Sequence, residues 1–378
     1  MHASALSILL LAGVAATQSR REEAQAKVVS AIDLEALYRT IDPLAMQAAA
    51  DRGLAWLASQ QQEGGGWSAD VGHKQQDDYL VLSSVAEQKA RGEAHLGVSA
   101  FCGLAFLAGG HLPGRGKYGR VVDDTVKYVV AHSIDNGYLR DGETRMYSHA
   151  FATLFLAEAY GMTRTADVKT SLERAVRWIV DNQNRYGAWR YNPFTTEADL
   201  SVTVCQLQAL RAARNIGIEV PHACVEAALA YVLRSRVPSG RMAGLFYYKI
   251  YGRGAYSKPS EFAINAAAVT ALASAGNYDQ ELWAPAMDLV DASYPETFHY
   301  YADHYYYWYG NYYACQAFFW AGGTRFQAYY QRLAEDILSL QRNDGSWRNR
   351  TGPGDAFSTA VASIVLQLPR QYLPIFQR

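Results

Sequence analysis

The 378-residue chain has few cysteines, and they are widely separated. The four thiols form no CxxC pair and match no other zinc-binding spacing. A chain of this size builds a large apolar core, so a disulfide framework is not expected. Burial as small apolar side chains is therefore the expectation for Cys102, Cys205, Cys224 and Cys315.

Charge is also scarce and balanced. Charged residues make up 19% of the chain, and 35 Lys and Arg against 36 Asp and Glu leave a net charge of -1. Binding to nucleic acid needs a basic excess on one face, so no nucleic-acid partner is expected. Half of the residues are hydrophobic, which excludes wholesale disorder.

Only the N-terminus carries a sustained apolar run. Residues 1–16 contain an apolar stretch that is too short to span a bilayer but suits a signal peptide, with small residues before Thr17. We expect a signal peptide at 1–16 and a periplasmic or secreted protein, followed by a leader with a short helix at 17–43. No later segment has eighteen uninterrupted apolar residues, so no membrane span is expected after signal removal.

The remainder of the chain is repetitive. One pattern, Q-x3-G-x-W, occurs three times after an amphipathic segment, and degenerate copies stand at Ser133–Gly137 and Arg236–Gly240. The Gly suits a backbone turn at a helix end, the Trp is a large apolar plug, and the Gln can tie one helix pair to the next. We therefore assign a structural role to the nine motif residues: Gln61, Gly65, Trp67, Gln183, Gly187, Trp189, Gln341, Gly345 and Trp347.

Two kinds of helix alternate along residues 44–378. One kind is apolar all round, which indicates burial on every side, and the other carries a charged face. Six of each kind, repeating about every 50 residues, predict an all-α fold in one domain: an inner ring of six helices inside an outer ring of six. The predicted inner helices are 97–109, 147–161, 200–217, 262–276, 308–322 and 357–368, and the predicted outer helices are 51–61, 121–132, 171–183, 222–234, 281–294 and 327–341.

With these motifs the sequence resembles the terpenoid cyclase and protein prenyltransferase superfamily, and in particular its bacterial prenyltransferase and squalene-oxidase repeat proteins. The resemblance covers residues 45–376 and includes the aromatic segment 306–309 and the ending 372–374. It implies an α/α toroid, also called an α6–α6 barrel. Fold alone does not fix activity.

The family's catalytic motifs are missing. No DxDD is present, since Val121 stands where Asp123-Asp124 would need a first Asp. Asp77-Asp78 does not continue as DDxxD. No Asp stands two positions before a Cys, and His222-Ala-Cys224 is the nearest approach to the zinc-binding D-x-C pattern. The sequence therefore predicts no metal and no cofactor.

The catalytic candidates are Asp199, Asp303 and Glu261, and Asp355 enters as a further possible member of a carboxylate pair. Asp199 opens an inner helix and could serve as the acid of a cyclase, although an Asp followed by Ser and Thr also fits a helix N-cap. Asp355 is the same case. Asp303 could also be a cyclase acid, and Glu261, Asp303 and Asp355 could supply the carboxylate pair of a polysaccharide-active enzyme.

Tyrosine is abundant, with 27 residues in the chain, nine of them between Tyr294 and Tyr313. They could line a cavity for an apolar or carbohydrate ligand, or they could simply fill the barrel. Side chains near the starts of inner helices are expected to ring one mouth of the toroid and bind that ligand. The candidates are His149, Asn265, His304, Tyr306, Tyr307, Trp308 and Asn311.

Three functions fit these observations. The first is an exported binding or scaffold toroid without catalysis, which the missing motifs favour. The second is a terpene-cyclase-type enzyme that starts isoprenoid cyclisation by protonation. The third is a polysaccharide lyase or hydrolase. The sequence leaves the ligand and the oligomeric state open.

Overall fold

A computed structural model describes residues 34–69, 73–75, 78–80, 94–142, 144–250, 258–259 and 261–376. The expected signal peptide at 1–16 and most of the leader lie outside these ranges. Within the leader the short helix α1 (Leu34–Tyr38) is present.

The described residues contain twelve further α-helices, which alternate between two layers. The outer helices are α2 (Pro43–Gln60), α4 (Gly119–Ala131), α6 (Ala166–Asp181), α8 (His222–Arg234), α10 (Gln280–Tyr301) and α12 (Gly323–Leu340). The inner helices are α3 (Leu96–Ala108), α5 (Met146–Thr163), α7 (Leu200–Asn215), α9 (Phe262–Ser274), α11 (Tyr305–Ala321) and α13 (Asp355–Gln367).

The two layers close into a ring. Each inner helix packs against the next one along the chain, and α13 packs against α3. In the outer layer α12 contacts α2, so the last helix pair meets the first. The predicted α/α toroid with six inner and six outer helices is therefore correct.

The layers follow from the residue pattern. Every residue of α3 and of α9 is buried, as an apolar helix inside a ring requires. The outer helix α6 instead buries one stripe, which includes Val168, Leu172, Ala175 and Ile179 at spacings of three and four residues. Such a stripe covers the inner ring and leaves the charged face toward solvent.

A small hairpin interrupts the helices. Strand β1 (His73–Gln75) pairs antiparallel with β2 (Asp78–Leu80), and His73 lies opposite Leu80. No described helix is both long and apolar enough to cross a membrane.

The Q-x3-G-x-W loops join neighbouring outer helices. Each Trp indole donates to a carbonyl near the end of its own outer helix, as Trp189 does to Ile179 at 2.8 Å. Each Gln amide donates to a carbonyl of the next outer helix: Gln61 to Val121 at 2.9 Å, Gln183 to Cys224 at 2.8 Å, and Gln341 to Ala49 at 2.8 Å. The motif therefore sets the spacing of the outer ring.

The motif glycines are required by close contact. Gly345 has φ +92°, and a Cβ there would lie 2.6 Å from the carbonyl oxygen of Arg52 on α2. In the fourth repeat, whose loop follows α8, this role belongs to Gly244, where a Cβ would lie 2.6 Å from Pro285 on α10. Gly240, the glycine that the sequence indicated, has no neighbour within 4 Å of that position. The sequence missed this because the loop is longer here: Arg236 pairs with Phe246 as Ser133 does with Leu139.

The C-terminal tail packs at the opposite end of the ring from these loops. Its last described turn, Pro374–Phe376, contacts α5 and α7. The backbone N–H of Ile375 donates to the buried Glu158 carboxyl at 3.2 Å, close to the C-terminal end of α5. Burial raises the pKa of Glu158 to about 8, so this acid is mostly protonated at neutral pH.

Candidate site at the N-terminal mouth of the inner ring

Both ring nitrogens of His149, an expected ligand-binding residue, form hydrogen bonds with the backbone. Its Nδ1 accepts from the N–H of Leu139 at 3.0 Å, and its Nε2 donates to the carbonyl of Ala175 on α6 at 3.1 Å. Burial lowers its pKa to about 3, so the ring is neutral. The side chain points toward the outer layer with both ring nitrogens hydrogen-bonded to the backbone, which gives the predicted ligand-binding role of His149 no support.

Asn265 has the same role two repeats further along the ring. Its Oδ1 accepts from the N–H of Phe246 at 3.1 Å, and its amide donates to Pro259 and Glu261. Near the starts of three other inner helices a hydroxyl plays this part. Ser99 and Thr203, each the fourth residue of its helix, and Thr359, the fifth, accept from the N–H of the motif Trp. These side chains hold the loops to the inner helices. Composition alone does not separate such structural polar groups from ligand-facing ones, because both place the same residue types at the starts of the inner helices.

Part of the aromatic segment also faces the outer layer. Tyr307 shares a hydroxyl contact of 3.2 Å with Tyr294 of α10, and Trp308 donates to the Arg348 carbonyl at 3.2 Å. Asn311 accepts from the Tyr329 hydroxyl of α12 at 2.7 Å. These three residues contribute to packing in the wall.

His304 and Tyr306 lie at the start of α11. His304 is buried and caps the helix, because its Nδ1 accepts from the N–H of Tyr306 at 3.1 Å. Tyr306 is half-buried and packs against Phe262 and Tyr301. Burial raises the pKa of Tyr306, so its hydroxyl stays protonated.

The catalytic candidates Asp303 and Glu261 sit on different repeats from Asp199. Asp303 is about one-third exposed and forms ion pairs with Arg350 at 3.4 Å and Arg348 at 3.9 Å. Glu261 precedes α9 and is half-buried near Tyr306. Asp355 is bound to Arg342 at 2.5 Å and accepts from the N–H of Asn349 at 2.7 Å.

Asp199 is fully buried and has several partners. It caps α7 by accepting from the N–H of Val202 at 2.8 Å, and the Ser201 hydroxyl donates to it at 2.7 Å. Its other oxygen forms an ion pair with Arg190. Both carboxyl oxygens are therefore occupied by donors of the protein itself, and Asp199 serves as a helix cap and as the partner of Arg190.

Around this ion pair lies a set of side chains that we call the mouth cluster. Its members come from the loop before α7 and from the segment after α8: Arg190, Tyr191, Glu197, Asp199, Tyr248 and Lys249. Arg190 stacks on the Tyr191 ring at 4.2 Å, and the Tyr191 and Tyr248 hydroxyls are hydrogen-bonded to each other. Glu197 is paired with Lys249 at 2.8 Å and with Arg190 at 3.5 Å.

The mouth cluster is neutral overall and reaches solvent. Two cations balance two carboxylates, and the Glu197 side chain is 40% exposed. Burial, together with the charge of Asp199, raises the pKa values of Tyr191 and Tyr248. Both hydroxyls therefore stay protonated and can donate hydrogen bonds, but they are poor bases.

Below the mouth, aromatic rings fill the bore. Phe101 contacts Phe151 at 4.3 Å, Tyr312 at 5.0 Å and Phe357 at 5.2 Å, measured between ring centroids. Phe151 and Tyr312 stand on the opposite helices α5 and α11 and are 6.2 Å apart. One turn above Phe151, Tyr147 stacks on Tyr191 and joins this filling to the mouth cluster.

Apart from Asp199, sequence reasoning missed the mouth cluster. The signal was the loop between the second motif and α7, where Arg190, Tyr191 and Glu197 stand within eight residues, followed by the paired tyrosines at 247–248. Within the described ranges no group of three or more His, Cys, Asp or Glu side chains could hold a metal ion. The four cysteines, all described, are buried and form no disulfide.

Several solved structures with a similar fold are enzymes of diverse activity. No protein-family model matches the sequence, and neither does any curated protein. An α-1,6-mannanase of glycoside hydrolase family 76 from Salegentibacter is 9% identical with a TM-score of 0.60, covering 86% of this chain and 99% of its own. The cellobiose 2-epimerase of Spirochaeta thermophila is 13% identical with a TM-score of 0.58, covering 87% and 98%. The type II terpene cyclase MstE from Scytonema is 13% identical and covers 88% and 100%, but its TM-score is only 0.37.

These likenesses establish the architecture. The chain shares the α/α toroid with the mannanase and the epimerase, as the resemblance to toroidal cyclases implied. At such low identity the shared fold carries no activity with it.

Proposed function

We propose that this protein is an exported carbohydrate-binding toroid that holds a neutral sugar at the mouth cluster. The observation that carries the proposal is the charge-balanced cluster itself. Arg190 and Lys249 are already matched by Asp199 and Glu197, so there is no unpaired charge to select an ionic ligand. Protonated tyrosine hydroxyls and aromatic faces suit the hydroxyls and the C–H faces of a sugar.

The alternatives have less support. An isoprenoid chain would need an open apolar bore, whereas Phe101, Phe151, Tyr312 and Phe357 contact one another across it. Hydrolysis would need a proton-donating carboxyl opposite a second carboxylate. Asp199 is tied to Arg190, Asp303 to Arg350, and Asp355 to Arg342.

The mannanase and the epimerase act, by their names, on carbohydrates, and they supply the first probes. Isothermal titration with mannose, α-1,6-mannotriose, glucose and cellobiose should show binding of at least one sugar. Tyr248→Phe should weaken that binding about tenfold, because one charge-adjacent hydrogen bond is lost. Tyr372→Phe is the matched control, since Tyr372 is 49% exposed near the C-terminal ends of the inner helices. Equal affinities for the wild type and Tyr248→Phe would reject the mouth cluster as the binding site.

Export is the second part of the proposal, and it is supported by residues 1–16. Fractionation of expressing cells should recover a chain that starts near Thr17 outside the cytoplasm. Recovery of an uncut chain from the cytoplasm would reject it.

A further inference from the structure

Phe194 is an exposed aromatic side chain between Tyr191 and Glu197, two members of the mouth cluster. It stands in the loop that carries Arg190, Tyr191 and Glu197, and 67% of its surface is open to solvent. Single exposed apolar side chains are common on protein surfaces, so the exposure has to be considered together with the backbone that presents the ring. A purely structural role in the core is excluded by the exposure itself.

The backbone at Phe194 is held in an unfavourable conformation. Its φ is +54°, in the left-handed region that residues with a Cβ rarely adopt, and Asn or Gly would fit there better. Strain of this kind persists where the surroundings enforce it, and it concentrates at functional sites. The loop therefore has a phenylalanine at a position where the backbone conformation would be less strained with Asn or Gly.

Several contacts enforce this conformation. The N–H of Phe194 donates to Oδ1 of the buried Asn182 at 2.9 Å, and the Asn182 amide donates back to Trp178 at 2.8 Å. The Phe194 ring packs edge-on against Trp178, with 5.1 Å between centroids and 85° between planes. Because 67% of the Phe194 side chain is exposed, this contact leaves room for another partner on the ring.

The ends of the loop are fixed as well. Tyr191 accepts from the N–H of Met146 at 3.0 Å, and Asn184 donates to the Glu197 carbonyl at 2.7 Å. Three residues of extended chain span at most about 10 Å, so Phe194 lies within the reach of a short oligosaccharide seated on Tyr191.

We propose that Phe194 forms a second sugar subsite, on which a further ring of an oligosaccharide stacks while the first ring occupies the mouth cluster. This inference rests on the proposed function and sharpens it, because it names an oligosaccharide as the ligand class. A pyranose ring presents a C–H face that packs on an aromatic face, and no charge is needed. The preformed position of Phe194 limits the entropy that binding would otherwise cost.

The test compares sugars of different length on matched variants. Phe194→Asn removes the aromatic ring and keeps a residue that tolerates positive φ, so the loop conformation should persist. Phe194→Tyr keeps the aromatic face. Ile134→Ala, at another exposed apolar side chain, is the control for nonspecific effects. The titrants are mannose against α-1,6-mannotriose, and glucose against cellotriose.

In the wild type we expect one trisaccharide to bind about tenfold tighter than its monosaccharide. Phe194→Asn should abolish that gain and leave the monosaccharide affinity unchanged, while Phe194→Tyr and Ile134→Ala should keep the gain. If Phe194→Asn leaves trisaccharide binding intact while Tyr248→Phe weakens it, the subsite is rejected and the proposed function stands. If the wild type binds no member of either series, both proposals are rejected.

Discussion

The side-chain amide of Gln341 donates to the backbone carbonyl of Ala49 at 2.8 Å, across 292 positions of sequence. The same amide also donates to Gly345 in its own loop at 2.9 Å. Gln61 and Gln183 make the equivalent bonds between repeats that follow one another in sequence. The bond from Gln341 joins the last repeat to the first, so the same interaction that links neighbouring outer helices also closes the outer ring.

Gln341→Met should destabilise the toroid by about 1–2 kcal/mol, because two backbone carbonyls lose a donor while the volume is kept. Gln331→Met is the control, since the Gln331 amide bonds only the exposed Glu335 on the same helix. Urea unfolding followed by circular dichroism measures both. Equal midpoints for the two variants would mean that the closing bond adds nothing to stability.

Gly345→Ala should lower the free energy of unfolding by more than the left-handed backbone conformation alone explains. A Cβ at this position meets the Arg52 carbonyl at 2.6 Å, whereas Gly276 has a similar φ of +83° and no neighbour within 4 Å. Gly276→Ala therefore measures the left-handed conformation alone, about 1–2 kcal/mol. We expect Gly345→Ala to exceed it by about 1–3 kcal/mol in the same unfolding experiment. A difference near zero would show that α2 shifts freely to make room.

His149 should make the protein acid-sensitive. Burial lowers its pKa from 6.5 to about 3, so the unfolded chain binds a proton that the folded chain does not. The contribution of His149 to the free energy of unfolding is therefore fully present above pH 6.5. It is lost as the pH falls toward 3, by up to about 1.4 kcal/mol per pH unit.

His149→Asn should reduce that acid dependence, because Asn265 already fills the equivalent position in another repeat. The measurement is the difference in unfolding free energy between pH 7 and pH 4.5, for His149→Asn and for the exposed control His222→Asn. The prediction fails if both variants retain the wild-type slope.

Glu158 should act in the opposite direction. Burial raises its pKa from 4.5 to about 8, so the folded state holds a proton that the unfolded chain releases. Its stabilising contribution is full below pH 4.5 and is lost as the pH rises through about 8. Glu158→Gln keeps an acceptor for the Ile375 N–H and cannot ionise.

The melting temperature of Glu158→Gln should match the wild type at pH 4.5 and exceed it at pH 8.5. Glu226→Gln, at an exposed carboxylate, is the control and should show no such divergence. A Glu158→Gln variant that loses stability equally at both pH values would instead assign Glu158 a purely geometric role.

The fold could be predicted from the sequence to a large extent, whereas the site could not. Apolar and amphipathic periodicity locates helices without any knowledge of their neighbours, which is why the predicted α8 at 222–234 coincides with the observed helix. Whether a residue belongs to a site depends on the direction in which its side chain points as well as on its type. His149 and Tyr147 stand two positions apart on α5, yet His149 faces Ala175 of the outer layer and Tyr147 stacks on Tyr191 at the mouth.

The sequence by itself determined the all-α toroid, the alternation of inner and outer helices, and the residues that repeat at each loop, because these depend on hydrophobic pattern and on turn chemistry along the chain. Only the tertiary structure decided which carboxylates are neutralised and which aromatic rings meet. Arg190 and Asp199 are nine residues apart, but Tyr248 reaches the same cluster from the next repeat. Such partnerships depend on how the ring closes in three dimensions, and no local pattern encodes them.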